Sequence, residues 1–172
     1  MPFDPFQVLV KIERKSPKLA RIAAMCFLSG MSPFNSHLGS KMLEWSDDTC
    51  VIEVKKRRSV RNHVNAIHAG ALFTLGETCA GLIIVRNFPF AKYRPLMSEV
   101  KASFSKQARG DVVGKAYIAP ETITRMKADV ERGEIPFAEV VTEIRNSDGE
   151  IACTVTTTWQ VKQWGLVKTK LN

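Results

Sequence analysis

The sequence predicts an α+β fold, an antiparallel sheet of about six strands wrapped around one long buried helix. Three observations predict it. Residues 66–85 are apolar almost all round, and a helix without a polar face is a buried helix. Two strand-like runs precede this helix and four follow it, and a sheet covering one helix is an α+β arrangement. Finally, 172 residues with 45% hydrophobic content suffice for one domain, 1–172, with a real core.

The elements follow in order. Asp4 can cap a first helix, with Pro5 at the first helical position, Gln7 completing a capping box and Phe3 and Val8 as its hydrophobic staple. Ser16 and Pro17 open a second helix with Ala20, Ala23, Ala24 and Phe27 as its apolar stripe and Gly30 as its stop. Residues 1–31 therefore read as a helical extension covering the domain. Residues 37–45 and 49–57 read as strands joined at Ser46-Asp47-Asp48, with Ile52 and Val54 alternating with Glu53 and Lys55. Beyond the central helix, Pro89 and Pro95 bracket a loop holding Lys92, Tyr93 and Arg94. In the strand 96–108, Val100, Ala102 and Phe104 share one face. Arg109-Gly110-Asp111 is a turn from which 112–119 is expected to pair back as a hairpin. Residues 120–132 read as a helix stopped by Gly133. The last hairpin, 138–145 with 151–162, turns at Asn146-Ser147-Asp148-Gly149. Cys153, Val155 and Trp159 face the core, and Thr154, Thr156 and Thr158 face outward.

The formal charge is +8, which suits an anionic partner: a nucleic acid, a membrane surface, an acidic carrier protein or a phosphorylated cofactor. The one basic cluster, Lys55 to Arg58 with Arg61, comes without any nucleic-acid-binding or Walker-type motif, so no nucleic-acid partner is expected. The four cysteines form no C-x-x-C pair and read as reduced residues of a cytoplasmic protein. The N-terminus lacks the charged region of a signal peptide. Glu77, His68 and three glycines argue against the central helix entering a membrane. No His, Cys and carboxylate spacing suggests a metal, and no cofactor is expected.

Glu77 stands alone in the central helix, where a buried carboxylate is costly unless paired or protonated. Gly70, Thr74, Glu77 and Gly81 share its face at helical spacing. A stripe this small admits either a closely packed neighbour or a ligand channel passing the carboxylate. Gly76 and Gly81 each cost the helix about 1 kcal/mol against Ala, so each needs a reason in packing or in a site.

Asn62, then His68-Ala69-Gly70 six residues on, then Glu77 within the helix, resembles the motif of hotdog-fold acyl-CoA thioesterases related to the phenylacetyl-CoA enzymes. The resemblance covers residues 38–162. It departs from the family at Ala69, where relatives carry a first glycine, and at Glu77, where many carry Asp. The lipid-dehydratase signature of the same fold is absent. The resemblance implies hydrolysis of an acyl-CoA or acyl-carrier thioester, CoA being part of the substrate. It implies the Ala69 N–H as oxyanion donor, Glu77 as general base or nucleophile, and Asn62 (with Asn65 as rival) positioning water or carbonyl. His68 would order the helix start. Gly70, Thr74 and Gly81 would face the acyl group, with Arg57 and Arg58 at the nucleotide end. Ala69 and Glu77 lie eight residues, about 12 Å, apart on one helix, too far to serve one carbonyl. A homodimer with sites at the subunit interface, or a dimer of dimers, follows. A non-catalytic acyl-binding or dimerisation module is the alternative.

Overall fold

A computed structural model of the chain describes residues 5–167. The Asp4 cap and the Phe3 staple lie outside the described residues. The helices are α1 (Pro5–Glu13), α2 (Pro17–Met31), α3 (Pro33–Ser36), α4 (Ala69–Asn87) and α5 (Pro120–Glu131). The strands are β1 (Ser40–Trp45), β2 (Thr49–Val54), β3 (Tyr93–Phe104), β4 (Val112–Tyr117), β5 (Phe137–Asn146) and β6 (Ile151–Gln163).

Local chemistry accounts for most boundaries. The Ser16 hydroxyl accepts from the Leu19 N–H at 3.3 Å and caps α2. Gly30 does not end this helix. The helix runs through Met31, and Pro33 stops it, since a proline restricts the residue before it and cannot continue the ladder. The first strand begins at Ser40 rather than His37, because α3 and the left-handed Gly39 (φ +54) occupy the interval. The 89–95 loop is shorter than expected: β3 starts at Tyr93 and takes in Pro95.

All six strands form one antiparallel sheet in the order β1-β2-β4-β5-β6-β3. The expected hairpin between β3 and β4 does not form. The intervening segment instead passes the loop before α4, where the Ile67 N–H donates to the Ala108 carbonyl at 2.8 Å. Strand β4 then enters mid-sheet between β2 and β5, leaving β3 on the outer flank of β6. An edge is where Pro95 is tolerated, because it cannot donate to a second ladder.

The sheet wraps α4. Leu72, Leu75, Cys79 and Ile83 are buried in the core. Gly76 lets the helix press on β6, since a Cβ there would lie 2.5 Å from Val155 Cβ. The buried Thr142 hydroxyl donates to the Gly76 carbonyl at 3.0 Å across the same contact. The helix is not buried on every side. Gly70, Phe73, Glu77 and Gly81 form a stripe that neither sheet nor extension fully covers.

Helix α1 is fastened to the C-terminal turn of α4 by Arg86. Its guanidinium donates to Glu13 and to Asp47, each at 2.7 Å, and lies 4.6 Å from the centre of the Trp45 ring. Phe6 packs edge-on against Phe27 and Trp45 beneath it.

Candidate functional site

The start of α4 is set by His68. His68 is extended (φ −65, ψ 140), and its Nδ1 accepts from the Gly70 N–H at 2.9 Å. The Ala71 and Leu72 N–H groups turn back to the His68 carbonyl. This leaves the Ala69 N–H, at the first helical position, outside the intrahelical ladder, as the first donors of any helix are. Ala69 and Gly70 are exposed, and the helix dipole adds positive potential there.

Asn62 organises the loop before the helix. Its side-chain carbonyl accepts from the Val64 and Ala66 N–H groups at 3.1 and 3.0 Å. That leaves its Nδ2 amide as the group it can direct elsewhere. Asn65 sits in the left-handed region (φ 59), and its side chain accepts from Arg61 at 2.9 Å.

Glu77 lies two turns further on, half-buried at one side of a cavity of about 170 Å³. Helix α4 supplies Glu77, Thr78, Gly81, Leu82 and Val85 to its wall. The N-terminal helices supply Phe6, Leu28, Met31 and Asn35, and Phe90, Pro95 and Trp159 complete it. Away from Glu77, Thr78 and Asn35 the lining is apolar. Gly81 is small because the Trp159 ring abuts it: a Cβ there would lie 3.1 Å from Trp159 Cη2. The Trp159 indole is held in turn by the buried Thr157 hydroxyl at 2.9 Å.

Burial pushes the Glu77 carboxyl above its ordinary value, and the adjacent Thr78 hydroxyl pulls partly back. Among the described residues no cation pairs with Glu77. The Thr78 hydroxyl is buried and has no hydrogen-bond partner of acceptable geometry.

The structure brings Glu77 and Gly81 to one cavity and separates them from Asn62, His68, Ala69 and Gly70 at the helix start. Thr74 is buried, its hydroxyl donating to the Gly70 carbonyl at 2.8 Å, and it is not part of the cavity wall. Arg57 donates to the His37 carbonyl at 2.9 Å and occupies the space a Gly39 side chain would need; Arg58 is exposed in the turn that follows. Among the described residues no group of three or more His, Cys, Asp or Glu could hold a metal ion.

Sequence reasoning missed Thr78, Leu28 and Met31 as parts of this wall. Leu28 and Met31 continue the spacing of Ala20 and Ala24 along α2, but a helix ended at Gly30 leaves Met31 outside the pattern. Thr78 was hidden because it falls off the small-residue stripe, toward the core.

The family described as a domain of unknown function (DUF4442) matches residues 21–161. No curated protein matches the chain. Among solved structures, one similar to it is PA5026 of Pseudomonas aeruginosa, a protein of unknown function described as a probable thioesterase. It is 22% identical with a TM-score of 0.74, over 81% of this chain and 93% of that one. The Staphylococcus aureus thioesterase SAV0944 is 21% identical with a TM-score of 0.64, over 76% of this chain and 99% of that one. The Haemophilus influenzae thioesterase HI1161 is 14% identical with a TM-score of 0.68, over 87% and 94%. The fold these share with the present chain is the hotdog fold.

Proposed function

The chain belongs to the family described as a domain of unknown function (DUF4442), and we propose that it hydrolyses an acyl-CoA thioester. The observation that carries this reading is Glu77: a carboxylate without a cationic partner among the described residues, held half-buried beside an apolar cavity. A site that only stored an apolar chain would gain nothing from such a group, whose burial costs stability.

In the proposed reaction the acyl chain enters the cavity and places the thioester carbon near Glu77. Acting as a general base, the carboxylate takes a proton from water as its oxygen attacks that carbon. The C–S bond then breaks, and the CoA sulfur leaves with the proton returned from Glu77. In the nucleophilic variant the carboxylate oxygen attacks first and the C–S bond breaks, expelling the CoA thiolate and leaving an anhydride. Water then opens the anhydride, regenerating the Glu77 carboxylate and releasing the acid, while the thiolate takes up a proton from that water. Both variants place negative charge on the carbonyl oxygen, which a helix-terminal N–H stabilises.

That N–H is assigned to Ala69 of a second copy of the chain. Ala69 and Glu77 of one helix are about 12 Å apart, so the complete site needs two antiparallel α4 helices. The uncovered stripe through Gly70, Phe73, Glu77 and Gly81 is where such a helix would lie. The edge strand β3 supports the same assembly, because it exposes Leu96 (41%), Val100 (37%) and Phe104 (51%). Exposed apolar edges invite pairing. Asn62 would orient water or carbonyl through its Nδ2. Arg58 and neighbouring basic side chains would meet the phosphates of CoA. An acyl-carrier thioester fits the same site with a different headgroup.

The experiment is release of free thiol from a panel of short, long and aromatic acyl-CoAs, by the natural chain and by Glu77→Gln. The natural chain should turn over at least one substrate, and the variant should lose about 10²–10⁴-fold in rate. A Gln variant at full rate would refute the assignment.

A further inference from the structure

We propose that the N-terminal helices α1–α3 are the acyl-length gauge of this site, walling one side of its partly open cavity so that it favours a chain of about six carbons. This rests on the thioesterase reading for the headgroup but not for the gauge itself. Phe6, Leu28 and Met31 come from the extension, outside the sheet-and-helix core, and all three line the cavity that holds Glu77. Without the extension, the part of the wall that Phe6, Leu28 and Met31 form would be absent.

The cavity follows α4 from Glu77 to Val85, about 12 Å of helix. Its deep end is stopped by aromatic packing: the Phe6 and Phe90 rings lie 5.9 Å apart, and Phe6 is only 2% exposed. Its volume is about 170 Å³, and a dry apolar cavity of about 150 Å³ holds a benzene-sized group. Six carbons, linear or cyclic, therefore fill it. A longer chain would have to displace Phe6 or Leu28, the second anchored through the α2 stripe.

The Thr78 hydroxyl lines the same cavity, buried beside the Glu77 carboxylate whose proton affinity it lowers, so the polar end of the cavity lies at Glu77 and the apolar end away from it.

The test compares Leu28→Ala, which opens the wall, and Met31→Trp, which fills it; Met31 is 52% exposed at the rim, so its replacement spares the core. Two readouts are used. One is kcat/KM for butanoyl-, hexanoyl-, octanoyl- and decanoyl-CoA. The other is calorimetric binding of the matching straight-chain primary amides, which needs no turnover. The natural chain should peak at hexanoyl in both. Leu28→Ala should raise the decanoyl-to-hexanoyl ratio by about tenfold or more, and Met31→Trp should lower hexanoyl against butanoyl by a similar factor, since single methylenes in a fitted pocket discriminate on that scale. Length profiles unmoved by both folded variants would overturn the gauge, even if Glu77→Gln abolishes turnover. Length-dependent amide binding that shifts with the variants, with no thioester hydrolysed, would uphold the gauge and reject the hydrolase.

Discussion

Replacing Gly76 by Ala should loosen the contact that positions Glu77. A Cβ at this position would lie 2.5 Å from both Cβ and Cγ2 of Val155 and 3.0 Å from its Cγ1. Carbon atoms rest at roughly 3.5–4.0 Å, so helix and strand must separate by about 1 Å. Val155 is fully buried on β6 and has no room to turn aside. Overpacking of this kind costs about 1–3 kcal/mol. The Thr142–Gly76 hydrogen bond spans the same gap, and stretching it removes up to about 1 kcal/mol more. Against this stands a helix-propensity gain of about 1 kcal/mol. The net loss is therefore up to about 3 kcal/mol. Urea denaturation should show a lower midpoint at unchanged slope. Adding Val155→Ala should recover part of the loss, a non-additivity expected of residues in contact. Thioester turnover should fall as well, because Glu77 is the next residue on the displaced helix. A Gly76→Ala protein more stable than the natural chain by about 1 kcal/mol, as helix propensity alone would make it, would refute the close-approach account.

Three further predictions follow from other parts of the molecule. Arg86→Met should cost about 2–3 kcal/mol, because it strands the largely buried Glu13 and ends the Trp45 contact, whereas Asp47→Ala, whose carboxylate is 76% exposed, should cost under about 1 kcal/mol. Denaturant midpoints of the two variants check this. Glu77 binds its proton more tightly in the folded chain than in the unfolded one, so it removes stability as pH rises through its raised folded value and removes none below the ordinary carboxylate range. Glu77→Gln should therefore raise Tm at neutral pH by a margin that vanishes in acid. Arg58→Gln should raise KM for CoA thioesters more than it lowers kcat; Arg58 is the cleaner probe, since Arg57 also holds the His37 carbonyl. An unchanged KM would remove Arg58 from the nucleotide end.

Much of the fold was legible because its strongest signal, an apolar helix, has one physical solution: it must be wrapped. Strand existence followed from alternation, as in Ile52 and Val54 or Val155 and Trp159. Strand order was not legible. Nothing local in Arg109-Gly110-Asp111 distinguishes a hairpin turn from a crossover, and long-range pairing decided it. At the end of α2, Gly30 is a common terminator in sequence, yet its backbone stays helical and Pro33 does the stopping. At the site, Glu77 announced itself as an apolar-context carboxylate. The cavity could not be read, since Phe6, Leu28, Met31 and Trp159 come from distant segments and look like ordinary core residues. Arg86 was hidden in the same way, its partners lying 39 and 73 positions away in the chain.

The central claim is that one site takes its N–H from Ala69 of one chain and its carboxylate from Glu77 of another. The structure supplies a clean lesion for the first. Ala69 is the first helical residue, where proline is accepted, and His68 already holds the extended conformation a following proline requires. Ala69→Pro thus deletes the donor and keeps the helix, and Glu77→Ala deletes the carboxylate. Each variant alone should be inactive. Co-refolded in equal amounts, half the dimers are mixed and each mixed dimer has one intact site, so thioesterase activity should return to about a quarter of the natural level. No recovery in a mixture that contains folded heterodimer would contradict the shared site.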